Sequence, residues 1–102
     1  MNQDRREFLN LPRPPARQSI TEAAWTLGFT EQDISVLVSA GHLKPLGHPP
    51  RSGSKYFATV ELEELRIDPR WLARACDIVV KFWATKNSRR ANRKGELLGR
   101  VT

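Results

Sequence analysis

The side chains of this sequence that could do chemistry are mostly basic, and the densest group lies near the C-terminus. Five Lys and Arg residues and no acidic residue occur between positions 86 and 94: Lys86, Arg89, Arg90, Arg93 and Lys94. A run of this kind is typical of segments that bind phosphate groups. Cations near a helix C-terminus are also favourable without any ligand, which is the alternative interpretation. We interpret residues 89–102 as a basic tail, and expect the five basic side chains to contact nucleic acid.

Catalytic and metal-binding motifs are missing from the sequence. It has no Gly-rich phosphate-binding motif, no HExxH motif and no pair of cysteines at metal-ligand spacing. His42, His48 and Cys76 match no common metal site. We therefore expect a protein that is not an enzyme, with no metal, no cofactor and no evident small-molecule substrate.

Charge is distributed unevenly along the 102 residues, whose net charge is +6. Residues 19–65 carry three basic and six acidic side chains, whereas residues 66–102 carry ten basic and three acidic ones. An anionic partner is one explanation, and a solubilising surface is the other. The lone cysteine indicates a reducing compartment, and no apolar run reaches the roughly 18 residues of a membrane span. A cytoplasmic protein of one small domain, without membrane contact, is expected.

Two short helices that would position a binding surface are predicted between residues 19 and 41. Ser19 and Glu22 have the spacing of a capping box, and Gly28 stands where a left-handed residue would end the first helix. Thr30 is a candidate cap for the second helix, which Gly41 would end. Apolar residues recur at helical spacing in both segments: Ile20, Ala23, Ala24 and Leu27, then Ile34 and Leu37.

Two short strands and two further helices are predicted after residue 41. Leu43–Leu46 and Lys55–Phe57 are expected to pair as a hairpin around residues 47–54, which we call the Gly/Pro loop, with Arg51 near its tip. Tyr56 and Phe57 should point to opposite faces. A helix is expected over Thr59–Arg66, with Glu61, Glu63 and Glu64 outward and three inward candidates: Val60, Leu62 and Leu65.

Asp68 and Pro69 provide the start signal of a longer helix, predicted over residues 68–88. Its apolar side is wide for so small a domain. We therefore consider two interpretations of Trp71, Phe82 and Trp83: that they form the seam of a homodimer or a partner surface, or that they cover the preceding domain. Before residue 19, residues 1–18 are interpreted as a flexible Pro/Arg-rich arm with a short frayed helix.

The residues from Ser19 onward resemble a known family. The run S-I-T-E-A-A-W-T-L-G-F-T-E-Q-D-I-S-V-L-V-S-A-G-H-L, followed by K-Y-F and E-L-E-E-L, is similar to the DNA-binding domain of mercury-resistance-type (MerR) regulators and to phage and plasmid excisionases. The likeness extends from Ser19 to about Ile67. It implies a mainly α fold: a winged helix-turn-helix over residues 19–67, with a small two-stranded β-hairpin wing and a longer C-terminal helix.

The resemblance also implies a function, which is to bind double-stranded DNA as a transcriptional regulator or as an accessory factor of mobile-element excision. The second helix would then read bases through Thr30, Gln32, Ser35 and Ser39. The wing would contact the phosphate backbone through Arg51, Ser52 and Lys55. In the family, a helix after the DNA-binding domain forms a homodimer, but it is much longer than the apolar pattern here.

One departure from the family keeps two alternatives open. The second helix of the family usually carries arginines, whereas here it has no Lys or Arg and begins with Glu31 and Asp33 among its first residues. The chain could instead be a protein-interaction module that docks through Val36, Val38 and the tryptophans. It could also bind RNA or single-stranded DNA through the basic tail.

Overall fold

The computed structural model of the protein describes the backbone of residues 3–97 and the side chains of residues 3–87. Within these residues the chain is mainly helical, with five helices and one two-stranded antiparallel sheet. The elements follow in the order α1 (Gln3–Leu9), β1 (Arg17–Ser19), α2 (Ile20–Leu27), α3 (Glu31–Ser39), β2 (Tyr56–Ala58), α4 (Thr59–Arg66) and α5 (Pro69–Leu97). The predicted mainly α class is confirmed.

Local capping signals determine where α2 and α3 begin. The Ser19 hydroxyl accepts the amide of Glu22 at 3.2 Å, and the Glu22 carboxylate accepts the amide of Ser19 at 2.9 Å. Thr30 and Asp33 form a second capping box with distances of 3.0 and 3.2 Å. Gly28 ends α2 with φ 82°, a backbone conformation that favours glycine. Both predicted helices are thus confirmed, with the turn between them at residues 28–30.

The predicted hairpin is wrong, because β2 pairs with the segment before α2. Arg17, Gln18 and Ser19 lie opposite Ala58, Phe57 and Tyr56. Residues 43–46 form no strand, and a single backbone hydrogen bond, from the amide of Leu46 to the carbonyl of Tyr56 at 2.8 Å, joins them to β2. Pro45 has no amide to donate, and the amide of Leu43 is bonded to Leu37 at the end of α3. This segment therefore cannot complete a ladder.

Residues 3–18, expected to belong to a flexible arm, contain two elements that pack on the fold. The rings of Phe8 in α1 and Trp25 in α2 lie 5.7 Å apart between centroids. Gln18 is 1% exposed. Its carbonyl oxygen accepts the Thr26 hydroxyl at 2.7 Å, and its amide donates to the Thr59 hydroxyl at 3.2 Å. Because the buried amide is bonded on both sides, β1 holds α2 and α4 together.

The core lies between α2, α3, β2, α4 and α5. Phe57 is 1% exposed, whereas Tyr56 is partly exposed with the Arg17 guanidinium 4.0 Å above its ring, so the predicted opposite faces are confirmed. The buried apolar residues of the core are Ala23, Ala24, Leu27, Ile34, Leu37, Leu43, Phe57, Leu62 and Ala75.

Two predictions about α4 and α5 need correction. Val60 was expected to face inward but is 72% exposed, whereas Leu62 is fully buried. Val60 and Leu62 are two positions apart, which is about 200° around the helix axis, so they cannot both face the core. In α5, the Asp68 carboxylate caps the helix by accepting the amides of Arg70 and Trp71. The helix continues to Leu97, past the predicted end at residue 88.

Candidate nucleic-acid interface

The outward side of α3 is polar and uncharged over three residues. Ile34 and Leu37 are fully buried, and they orient the helix so that Gln32, Ser35 and Ser39 are exposed. At 3.6 residues per turn these three side chains lie within about 60° of one another, and we call them the α3 ridge. Thr30, the fourth predicted base-reading residue, is the N-cap, and its hydroxyl is bonded to the amide of Asp33.

The Gly/Pro loop lies on one side of the α3 ridge. Arg51 and Lys55 line a surface groove together with Val38 and two ridge residues, Ser35 and Ser39. Arg51 and Ser52 are the central residues of a tight turn closed by a 2.9 Å hydrogen bond from the amide of Gly53 to the carbonyl of Pro50. The predicted position of Arg51 near the loop tip is confirmed.

Glycine is required at position 53 because the loop leaves no space for a side chain. A Cβ atom there would lie 2.7 Å from Cγ of Pro50 and 3.3 Å from the Pro50 carbonyl oxygen. Lys55 stabilises the same turn, since its ammonium group donates to the carbonyls of Arg51 at 3.0 Å and Gly53 at 3.3 Å. Lys55 therefore stabilises the conformation of the loop. An ammonium group has three donors, so one remains after these two hydrogen bonds.

Helix α5 lies on the other side of the α3 ridge. All three ridge residues line a groove of about 860 Å³ whose far wall contains Ile78, Lys81, Phe82 and Lys86 of α5. Lys86 was predicted as a site residue, but Lys81 was not. Its charge alone could not have identified it, because its position beside the ridge depends on how α5 packs against α3. Cations therefore border the ridge on both sides.

Of the two acidic residues in the first turn of α3, Asp33 is hydrogen-bonded within the fold. One oxygen of Asp33 accepts the amide of Thr30, and the other accepts the indole N–H of Trp83 at 3.1 Å. Glu31 is exposed beside it. Three other exposed acidic side chains belong to α4, which packs against α2, β2 and α5. They are Glu61, Glu63 and Glu64. The prediction that these three point outward is confirmed.

The three aromatic residues predicted as a dimer or partner surface are not equally exposed. Trp71 stacks on His42 with 4.7 Å between ring centroids, and its indole N–H donates to the His42 carbonyl at 3.0 Å. Trp83 is half-buried, and its indole N–H donates to Asp33. Phe82 is 40% exposed and meets Trp83 edge-on. Hydrogen bonds of Trp71 and Trp83 thus join α5 to the residues that follow α3 and to the start of α3. A homodimer stays a prediction.

The remaining predicted residues of the basic tail fall outside the described side chains: Arg89, Arg90, Arg93 and Lys94. Among residues with described side chains, no group of three or more His, Cys, Asp or Glu is placed to hold a metal ion. None of the helices in the described part of the chain has the length and apolar content that a membrane span requires.

Comparisons with known proteins give no match for this chain, whether to a family model, a curated protein or a solved structure.

Proposed function

We propose that this chain binds double-stranded DNA as a winged helix-turn-helix protein. The helix-turn-helix unit is α2 and α3, joined by residues 28–30, and the wing is the Gly/Pro loop. The observation that carries the proposal is the α3 ridge, which is exposed, polar and uncharged, and has cations on both sides. The DNA major groove is about 12 Å wide and admits one α-helix, with a phosphate backbone on either side of it.

In this proposal, base reading and phosphate contact belong to different residues. The Gln32 amide has the donor and acceptor arrangement that pairs with adenine, and the hydroxyls of Ser35 and Ser39 can donate or accept. Arg51, Ser52 and Lys55 contact phosphates, which position the protein without reading sequence. The resemblance of residues 19–67 to MerR regulators and excisionases supports a role in transcriptional regulation or in mobile-element excision.

The proposal is tested by selecting bound sequences from a random duplex library with the wild-type protein and with Gln32→Ala. We expect the wild type to enrich a defined motif, and Gln32→Ala to relax it at one or two positions, since a lost bidentate pair costs about 1–3 kcal/mol of discrimination. Gln3→Ala is the matched control, because Gln3 is an exposed glutamine on α1. Fluorescence anisotropy with duplex, single-stranded and RNA oligonucleotides should show preference for the duplex.

A protein-interaction module is the second candidate, and one observation favours it. The apolar residues that line the groove between α3 and α5 include Val36, Ile78 and Phe82, and Phe82 is 40% exposed. An apolar side chain of a partner protein could fill such a groove. Failure to bind any oligonucleotide at about 50 mM salt, where phosphate contacts are strong, would contradict DNA binding and favour this candidate. Binding to RNA or single-stranded DNA in preference to duplex would instead support action through the basic tail.

A further inference from the structure

A row of cations on α5 follows the side of the helix that borders α3. Arg70, Arg74 and Lys81 line a groove with Ala40 and Gly41, where α3 ends. Lys81 also lines the groove beside the α3 ridge, so the two grooves are adjacent. At 3.6 residues per turn and 1.5 Å rise, the three side chains lie within about 40° of one another and extend over about 16 Å. We call Arg70, Arg74 and Lys81 the α5 row.

Contacts within the described chain do not account for the α5 row. All three side chains are exposed, and none forms an ion pair with another described side chain. Asp77 is the one acidic residue of α5 that lines the same groove. A partial explanation is electrostatic, because cations near Ala40 and Gly41 complement the negative end of the α3 dipole. That effect falls off within the last turn, whereas the row continues past it to the α3 ridge.

We propose that the α5 row binds the phosphate backbone of one DNA strand while the Gly/Pro loop binds the other. An α-helix in the major groove has one backbone on each side, and the α3 ridge has the Gly/Pro loop on one side and α5 on the other. Phosphates follow one another at 3.4 Å along the duplex axis in each strand, so a row about 16 Å long can meet several of them. This inference rests on the proposed binding of duplex DNA, and it assigns α5 a direct part in it.

The test is the salt dependence of duplex binding by the full chain carrying Arg74→Gln and Lys81→Gln. The probe is the duplex enriched by the wild type, or a mixed-sequence duplex. Each phosphate contact contributes about 0.9 to the slope of log affinity against log salt, so this variant should lose about 1.8. The control, Arg6→Gln with Arg66→Gln, removes the same charge from α1 and α4, which contribute no residue to either groove beside the ridge, and should keep the wild-type slope.

Three outcomes separate the possibilities. A slope lowered in the α5 variant and kept in the control supports the proposal. If the slope is unchanged in the α5 variant but lowered by Arg51→Gln, the α5-row proposal is overturned and the proposed function stays intact. A lower melting temperature of the α5 variant would then show that the row stabilises the end of α3 through its dipole. No duplex binding by the wild type contradicts the proposed function itself. If the double variant does not fold, each single substitution carries the test with an expected loss of about 0.9.

Discussion

Helices α3 and α4 have similar buried sides, but their exposed sides differ in charge. They have nine and eight residues, and each presents a fully buried leucine to the same core, Leu37 in α3 and Leu62 in α4. Outward, α3 shows the uncharged ridge between two cationic borders, whereas α4 shows Glu61, Glu63 and Glu64. Packing therefore does not distinguish the two helices. Their outward residues do, and only the α3 side is complementary to a polyanion.

The largest expected effect on stability comes from a substitution in the core, because α3 and α4 pack against the same core. Phe57 is 1% exposed and belongs to the core that both helices share, so Phe57→Ala should lower the free energy of unfolding by about 3–5 kcal/mol. Val60→Ala, at a position 72% exposed on α4, is the control and should change it by less than about 0.5 kcal/mol. Urea denaturation followed by circular dichroism measures both. Equal losses would mean that α4 packs with its other side inward.

A smaller effect on stability is expected from removing the hydrogen bonds that join β1 to α2 and α4. Gln18 joins β1 to Thr26 of α2 and to Thr59 of α4 through buried hydrogen bonds. Gln18→Ala leaves the Thr26 hydroxyl without its acceptor and removes the donor to the Thr59 hydroxyl, which still donates to the Pro15 carbonyl. The free energy of unfolding should fall by about 1–3 kcal/mol. Gln32→Ala is the control: it removes a glutamine from the exposed ridge and should change the free energy of unfolding by less than about 0.5 kcal/mol. If Gln18→Ala had no effect, the buried hydrogen bonds of Gln18 would not hold α2 and α4 together.

The smallest expected effect on stability is the one that most sharply distinguishes the two helices by function. Arg51→Gln on the loop beside α3 should lower the salt slope of duplex binding by about 0.9, because one phosphate contact is lost. Glu64→Gln on α4 should leave that slope unchanged. Neither exposed side chain should alter the unfolding free energy by more than about 0.5 kcal/mol. A slope that responds to Glu64 as strongly as to Arg51 would show that overall charge, not location, governs binding.

Local signals in the sequence predict the helices well. The pair Ser19 and Glu22, the left-handed Gly28 and the pair Asp68 and Pro69 each act within one turn of chain, so their consequences are visible in the sequence alone. The pairing of β1 with β2 is not, because it joins residues about forty positions apart, such as Gln18 and Phe57. The predicted partner of β2 contains Pro45, whose missing amide was the available warning.

The candidate site was predictable in part for the same reason. Helical periodicity places Gln32, Ser35 and Ser39 on one side of α3, and the turn residues place Arg51 at the loop tip. The use of Trp83 to hold Asp33 spans fifty positions, and no periodicity reveals it. Lys81 became a candidate only through the packing of α5 against α3.

The central claim, that the α3 side and not the α4 side meets duplex DNA, is tested most directly by backbone amide NMR during titration with a duplex at low and moderate salt. The amides of Gln32, Ser35 and Ser39, with those of Arg51 and Lys81, should shift together, and the shifts should shrink as salt rises. The amides of Glu61 and Glu64 should stay in place. Shifts centred on α4, or confined to residues before α2, would contradict the account.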